Sequence, residues 1–369
     1  MKIPPVENTD YLSKQIITYI GNKRALLQFI EQGVLYVQKK TGKQKLDIFD
    51  VFSGSGIVAR RFKQYANRLF VNDVELYSKI INECYLSNAS DIDMETLQSL
   101  YDKLITQITF EPLKAGLVTK LYAPTDDENI MKGERVFYTR RNAMYIDTMR
   151  ELIENIYVKY QKYFLAPLLS EASIHSNTSG VFKGFHKNKI TGIGQFGGNN
   201  KDSLFRIKGG IALPFPVFSN FNCEIAVYND DANEIVHKLP EVDLAYIDPP
   251  YNQHPYGSNY FMLNLILENK EPASISKVSG IPENWNRSFY NKRQYALSSL
   301  AKLVNDVKAK YELISFNSEG FIKADEMTEL LEKIGKVEVL ETKYNTFRGC
   351  RNLSNRPIHV TEYLYLLEK

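Results

Sequence analysis

Short apolar runs alternate with amphipathic segments in this 369-residue chain, and that alternation limits the folds it can adopt. The apolar runs predict strands at 45–52, 68–73, 224–230, 242–248 and 311–318. Amphipathic segments with a helical period follow these strands. Strands that alternate with helices form a mostly parallel sheet with helices on both faces, so we predict an α/β fold.

The two ends of the chain complete the predicted sheet domain. Two long alternating runs at 336–347 and 358–369 predict an antiparallel hairpin at one sheet edge, which brings the predicted strands to seven. Residues 19–40 have the period of an amphipathic helix that packs on the sheet.

The alternation is interrupted between about residues 90 and 222. Helical patterns at 94–108 and 143–165 precede a stretch, 176–210, that is rich in Gly, Asn and basic residues. An insertion of this size in an α/β sheet is most simply a second domain. The predicted division is a discontinuous domain of residues 1–92 and 220–369, and an inserted domain of residues 93–219.

The composition indicates the cellular compartment and argues against a disulfide framework and a metal site. Three widely separated cysteines favour reduced thiols over a disulfide framework. The N-terminus has no apolar signal core, and no apolar run approaches the about 20 residues of a membrane span. We therefore expect a cytoplasmic protein. Without a CxxC pair and with scattered histidines, no metal site is expected, and the net charge of +3 does not by itself indicate a nucleic-acid binder.

A glycine-rich turn follows the first predicted strand in the sequence DVFSGSG, residues 50–56. Glycines at such a turn let a ligand lie against the backbone, and the start of the next helix offers N–H donors. The turn lacks the full GxGxxG of dinucleotide-binding proteins and the GK[ST] of a P-loop. Asp73, after the second strand, is placed to accept from ribose hydroxyls. Together they fit an adenosyl ligand without pyrophosphate, although each alone could be a tight turn or a solvated acid.

The strand at 242–248 ends in the sequence DPPY, residues Asp248, Pro249, Pro250 and Tyr251. The two prolines fix the backbone and remove two N–H donors, so the corner is rigid and offers acceptors. Strand ends at the carboxyl edge of a sheet usually face a ligand. A proline-rich turn with a capping Asp is the alternative for this motif alone.

Five motifs together resemble those of the S-adenosylmethionine-dependent N6-adenine DNA methyltransferases of the alpha group, Dam/FokI type. They are YIGNK (19–23), DVFSGSG (50–56), VND (71–73), NDDA (229–232) and DPPY (248–251). The order of cofactor motif, insertion and catalytic motif is that of the alpha group, and the likeness covers most of the chain. The resemblance implies a Rossmann-like class I methyltransferase fold in which the insertion is a target-recognition domain.

The same resemblance implies the residues that bind S-adenosyl-L-methionine. They are Tyr19, Gly21, Lys23, Asp50, Phe52, Ser53, Gly54, Gly56, Asp73 and either Asp230 or Asp231. Lys23, with Tyr19 and Gly21, would close over the methionine end, and Asp50 would lie near its amino group. Asp73 would hold the ribose. Spacing alone does not choose between Asp230 and Asp231 for the cofactor adenine; Asp231 is preferred because Ala232 follows it.

The implied chemistry explains the DPPY corner. The exocyclic amine of adenine is a poor nucleophile because its lone pair is conjugated into the ring. The Asp248 carboxylate and the Pro249 carbonyl would accept its two N–H groups and aim the lone pair at the methyl group. Tyr251 would stack on the target base, which must be flipped out of the duplex.

The expected partner is double-stranded DNA. Predicted DNA-binding residues are Lys183, Lys187, Lys189, Lys201, Arg206 and Lys208 in the insertion, with Arg348 and Arg351 in the terminal hairpin. Their alternatives are a solvated loop and a soluble hairpin tip. Restriction–modification systems contain the FokI-type subgroup, so a companion restriction endonuclease acting on the same site is also expected. An RNA adenine methyltransferase and a non-catalytic DNA-binding protein on a relic fold remain alternatives.

Overall fold

A computed structural model describes residues 6–13, 15–198, 201, 203–345 and 359–369. Seven strands form one sheet in the order β3-β2-β1-β4-β5-β7-β6. Their bounds are β1 Leu46–Asp50, β2 Ala66–Asn72, β3 Glu224–Tyr228, β4 Val242–Ile247, β5 Ala309–Asn317, β6 Lys336–Asn345 and β7 His359–Glu368. Strands β1 to β5 run parallel, and β7 is antiparallel to both β5 and β6. The predicted Rossmann-like α/β fold with an antiparallel terminal pair is confirmed.

Helices cover both faces of the sheet. They are α1 Thr9–Ser13, α2 Leu27–Thr41, α3 Ile57–Phe62, α4 Leu76–Tyr85, α5 Met94–Phe110, α6 Leu117–Tyr122, α7 Arg140–Glu154, α8 Val158–Ile174, α9 Leu204–Lys208, α10 Ala232–Ile235, α11 Tyr256–Asn259, α12 Phe261–Glu268, α13 Arg293–Asp306 and α14 Ala324–Glu332. Short 3-10 turns lie at Arg24–Leu26, Ala89–Asp91 and Phe289–Asn291. Within the described ranges, no helix is both long and apolar enough to cross a bilayer.

The two-residue period of the strands separates two apolar layers. Phe49 and Ala245 pack with α10, α13 and α14 on one face. Ile48 and Leu244, their neighbours in sequence, pack with α2 and α3 on the other face. Because both faces of the central strands are covered, their side chains are apolar almost throughout.

The order in which the strands are added to the sheet reverses between β1 and β4, although these two strands are parallel. From β1 the chain proceeds to β2 and β3 on one side, whereas β4 lies on the other side and leads to β5. Such a switch point opens a crevice at the carboxyl ends of the two strands. Asp50 ends β1 opposite Tyr246, two residues before Asp248. The fold therefore brings the two sequence motifs to one crevice.

Two helix predictions differ from the structure. The helix expected over 19–40 begins only at Leu27, because Gly21 has a left-handed φ of 72° and residues 19–23 form a loop. The hydroxyl of Tyr260 accepts a hydrogen bond from the backbone N–H of Ile20 in this loop. The helical pattern at 143–165 is two helices, α7 and α8, with residues 155–157 between them.

The inserted helices share an apolar core with the sheet domain. Leu104 of α5, Ile146 of α7 and Phe164 of α8 belong to the same buried cluster as Ile81 of α4 and Leu263 of α12. This packing fixes the insertion against the helices beside the crevice. Its division into a separate domain at residues 93–219 stays a prediction.

Candidate active site

A cleft opens at the carboxyl ends of β1, β2 and β4, with about 930 Å³ of empty space that includes its open mouth. Most of the predicted site residues line it: Tyr19, Gly21, Lys23, Asp50, Phe52, Ser53, Gly54, Asp73, Asp230, Asp231, Asp248 and Pro250. The glycine turn and the DPPY corner therefore face the same space.

Three predicted residues in the described part of the chain are not among the residues that line this cleft. Gly56 begins α3 with a left-handed φ of 75°, and a Cβ there would come within 2.5 Å of the Asn82 amide oxygen. Tyr251 packs edge-on against Phe316 with ring centroids 5.9 Å apart. The third residue is Pro249. Gly56 belongs to the glycine turn, and Pro249 and Tyr251 belong to the DPPY corner.

The glycine turn and the acid after β2 are hydrogen-bonded to each other. The backbone N–H of Gly54 donates to Asp73 Oδ2 at 2.8 Å, and the N–H of Glu75 donates to Oδ1 at 2.9 Å. Burial raises the pKa of Asp73 to about 6, although these N–H groups oppose the rise. At Gly54, where φ is 52°, a Cβ would lie 2.7 Å from the ring of Tyr19. Glycine at this position therefore leaves the space that the Tyr19 ring occupies beside the turn.

Asp50 is fully buried and lines the cleft, and its carboxylate oxygens make no well-formed hydrogen bond with the described residues, although the backbone N–H groups of Phe52 and Ala59 lie close enough to oppose the rise in its pKa. Burial, followed by the charges of Asp248 and Asp73, raises the pKa of Asp50 well above its usual range. A buried carboxylate without a partner is unfavourable unless a ligand supplies a donor or a positive charge. Its position suits a ligand with an amino group.

Asp248 is part of a buried charge network. Its Oδ1 lies 3.2 Å from Lys23 Nζ, which also donates to Glu362 Oε1 at 2.5 Å. Burial raises the pKa of Asp248 to about 7; Lys23 opposes the rise and Glu362 adds to it. Burial alone would lower the pKa of Lys23, but the two carboxylates raise it well above its usual range. Asp248 is thus a hydrogen-bond acceptor whose charge changes near neutral pH.

The sequence matches the family of D12 class N6 adenine-specific DNA methyltransferases over residues 19–345. The chain belongs to this family. The predicted family and its enzymatic activity, transfer of a methyl group to N6 of adenine in DNA, are thereby confirmed. A family of this kind requires a methyl donor.

Relatives of the D12 family member described here align along nearly the whole chain. The Type II methyltransferase M.NlaIII of Neisseria lactamica is 29% identical over 361 residues, which cover 96% of this chain and 99% of the relative. The Type II methyltransferase M.CviAII of Paramecium bursaria Chlorella virus 1 is 31% identical over 355 residues, with 95% and 98% covered. The Type II methyltransferase M.FokI of Planomicrobium okeanokoites is 26% identical over 365 residues, but the match covers 52% of that protein.

The two neighbouring acids of the D12 enzyme's NDDA motif have different surroundings. Asp230 is ion-paired with Lys238 at 2.5 Å and accepts from the backbone N–H of Asp231. Asp231 caps the start of α10, where its Oδ1 accepts from the N–H of Asn233 at 2.8 Å. Both acids line the cleft. Among the described ion pairs, Asp230 is paired with Lys238, whereas Asp231 has no cationic partner.

Aromatic side chains join the N-terminal loop of the D12 enzyme to the chain after DPPY. The ring of Tyr19 stacks against the rings of both Tyr256 and Tyr260, with centroids 4.9 Å away in both cases. The hydroxyl of Tyr256 donates to the carbonyl of Ile20 at 3.0 Å. This stacking fixes the loop that carries Lys23 against the DPPY corner.

Several cleft residues lie outside the motifs on which the sequence prediction relied. Glu75 has its pKa raised to about 7 by burial and by Asp73, while hydrogen bonds from Asn264 and Asn286 oppose the rise. Asn286 belongs to a loop whose other members, Ser288, Tyr290 and Asn291, also line the cleft. The sequence signal for this segment is NWNRSFYN, residues 284–291, which is dense in amide and aromatic side chains.

The predicted DNA-binding cations fall into three groups. Lys183, Lys187, Lys189, Lys201 and Lys208 are exposed. Arg206 instead points inward, where its guanidinium donates to the carbonyls of Ser176 at 2.9 Å and Ile174, so its contacts hold α9 to the end of α8. Arg348 and Arg351 lie outside the described residues.

Lys183 is the exposed cation that the structure ties to the DPPY corner. The neighbouring Phe182 donates its N–H to the carbonyl of Asn259 at 2.7 Å. Burial, with a further contribution from Lys183, lowers the pKa of His254. Because His254 lies three residues after Tyr251, this part of the insertion borders the active-site loop.

Proposed function

We propose that this chain transfers the methyl group of S-adenosylmethionine to N6 of an adenine that is flipped out of a specific duplex DNA site. The observation that carries the proposal is the single cleft that contains Asp50, Gly54, Asp73 and Asp248. A cofactor subsite and an acceptor for the target amine in one space are what direct methyl transfer requires.

The cofactor subsite is assigned from the chemistry of the side chains. Asp50 would receive the amino group of the methionine portion, since its buried oxygens make no well-formed hydrogen bond with the described residues. Asp73 would accept from the ribose hydroxyls through the lone pairs that Gly54 and Glu75 leave free. Asp231 would accept from the cofactor adenine, a choice supported by the pairing of Asp230 with Lys238. When bound, S-adenosylmethionine supplies a methyl group on a positively charged sulfur.

The DPPY corner would prepare the target amine. The Asp248 carboxylate and the Pro249 carbonyl accept its two N–H groups, and this orients the nitrogen lone pair toward the cofactor subsite. Asp248 must be ionised to act as the stronger acceptor. Tyr251, which is held edge-on by Phe316, offers its ring to the flipped base. Transfer would form a bond from N6 to the methyl carbon and break the bond from that carbon to the donor sulfur, and N6 would lose one proton toward the Asp248 carboxylate.

The exposed lysines of the insertion would hold the duplex. Lys183 borders the DPPY corner, and Lys187 lies over the ring of Phe185 with its ammonium 4.8 Å from the centroid. Exposed cations on one segment suit contacts with phosphates, which position a duplex without reading its sequence. The insertion would thereby act as the target-recognition domain. Arg206 is left out of this assignment because its donors are used within the fold.

The biological setting would be a restriction–modification system, in which methylation protects DNA from a companion endonuclease that acts on the same site. Relatives named Type II methyltransferases support this setting. The test is sequencing of DNA from cells that express the protein. We expect N6-methyladenine at every copy of one short sequence and resistance of that DNA to a nuclease specific for it. Unmodified adenine throughout would contradict the proposal.

A further inference from the structure

A buried carboxylate on the terminal strand is not used by the mechanism described above. Glu362 of β7 is fully buried, and its Oε1 accepts from Lys23 Nζ at 2.5 Å and from Ser315 Oγ at 2.6 Å. Its Oε2 has no hydrogen-bond partner among the described residues. Burial of a charge costs free energy that ion pairing offsets only in part.

The network places one ammonium between two carboxylates. Lys23 is closer to Glu362, at 2.5 Å, than to Asp248, at 3.2 Å. Glu362 lies opposite Asn317 in the β5–β7 ladder, and Ser315 is two residues earlier on β5. The position of the ammonium is therefore set by two hydrogen-bonded strands of the sheet, although Lys23 itself is on a loop.

We propose that Glu362 is a positioning residue for methyl transfer: it draws the ammonium of Lys23 toward the sheet, so that Lys23 contacts one oxygen of Asp248 and leaves the carboxylate available to the target amine. The inference rests on the proposed role of Asp248. Without the Glu362 charge, Lys23 would pair with Asp248 alone. The target amine would then compete with the Lys23 ammonium for the oxygens of Asp248.

Other charged and titratable groups also face Asp248. The Asp50 carboxylate interacts with it electrostatically from the end of β1, and the hydroxyls of Tyr246, Tyr251 and Tyr256 do so from β4, the loop after it and the start of α11. Among the nearest charges, Glu362 raises the pKa of Asp248 and Lys23 lowers it. Removal of the Glu362 charge must therefore move the titration of Asp248 to lower pH.

The test is Glu362→Gln, which keeps the size of the side chain and removes its charge. The measurements are the single-turnover rate of methyl transfer as a function of pH, the affinity for S-adenosylmethionine by calorimetry and thermal unfolding. We expect the plateau rate to fall about tenfold or more, with cofactor affinity within about threefold of wild type. The acid limb of the rate profile should move to lower pH. Ser315→Ala should lower the rate in the same direction by about threefold.

Glu312→Gln is the matched control. Glu312 is a fully buried carboxylate on β5, and its ion-pair partner Lys369, unlike Lys23, does not line the cleft. This variant should lower thermal stability and leave both the rate and the acid limb unchanged.

The outcomes separate the inference from the proposed function. An active wild type with an unaltered rate and acid limb in Glu362→Gln would overturn the inference alone. A slower Glu362→Gln whose acid limb stays in place, with an equal loss in Glu312→Gln, would also overturn it, because burial of any charge would explain the result. A wild type that transfers no methyl group would overturn the proposed function and the inference with it.

Discussion

The backbone N–H of Gly54 donates to Asp73 Oδ2 at 2.8 Å, so the turn after β1 and the acid after β2 form one hydrogen-bonded unit. If this unit holds the ribose, Asp73→Ala should weaken the binding of S-adenosylmethionine by about tenfold or more, since two acceptors are lost. Calorimetry measures this directly. Asp47→Ala, which removes a carboxylate at the opposite end of β1, is the control and should bind normally. Equal affinities for the two variants would reject the ribose role.

Gly54 itself provides a second test of the cofactor subsite. Gly54→Ala would place a methyl group 2.7 Å from the Tyr19 ring at a φ of 52°, so both stability and cofactor affinity should fall. Gly42→Ala is matched in backbone conformation, with φ 69°, but nothing lies within 4 Å of its Cβ position. It should lose about 1 kcal/mol of stability and no affinity. Thermal unfolding of both variants measures the cost of backbone strain, and calorimetry measures whether the added methyl group also blocks cofactor binding.

The pH dependence of methyl transfer should reflect Asp248. Burial raises the pKa of its carboxyl group to about 7, and Lys23 only partly opposes that rise. Because the ionised form is the better acceptor, the rate at saturating cofactor should fall as pH drops through about 7 and reach a plateau above it. Glu75, whose pKa burial also raises to about 7, lies in the same cleft. Glu75→Gln should leave the acid limb in place; a limb that disappears in this variant would assign it to Glu75.

Contacts with DNA should depend on the exposed lysines of the insertion, of which Lys183 borders the DPPY corner. A double substitution, Lys183→Ala with Lys187→Ala, should weaken duplex binding about tenfold and reduce the salt slope by about two, one for each lost phosphate contact. Substitution of Lys39 and Lys103, exposed cations on α2 and α5, is the control of equal charge. If the two double variants weaken duplex binding equally, the loss of net charge rather than of a defined surface explains the effect.

The sequence was sufficient to predict the sheet and to predict that the glycine turn and the DPPY corner lie close together. Apolar runs give the central strands because both of their faces are covered. Asp50 ends β1 and Asp248 follows β4, so these parallel strands bring both acids to one edge of the sheet. The helix at 19–40 was extended too far because apolar spacing continues through Tyr19 and Ile20, whereas Gly21 turns the chain.

Glu362 could not be recognised from the sequence. In the pattern TEYLYLLEK it reads as an outward-facing acid, but β7 lies between β5 and β6, and Lys23 reaches it from a loop 339 residues earlier in the chain. Arg206 shows the converse. Its basic neighbours suggest a phosphate contact, although only tertiary structure reveals the carbonyls that its guanidinium binds. Long-range pairings of charged groups leave no local pattern.

The most direct test of the account is the single-turnover rate of methyl transfer by Asp248→Ala, measured beside its affinity for S-adenosylmethionine. Loss of the carboxylate removes the acceptor that prepares the target amine, so the rate should fall by about a thousandfold or more. Cofactor affinity should stay within about threefold of wild type. A variant that binds the cofactor and still methylates DNA at the wild-type rate would contradict the central claim.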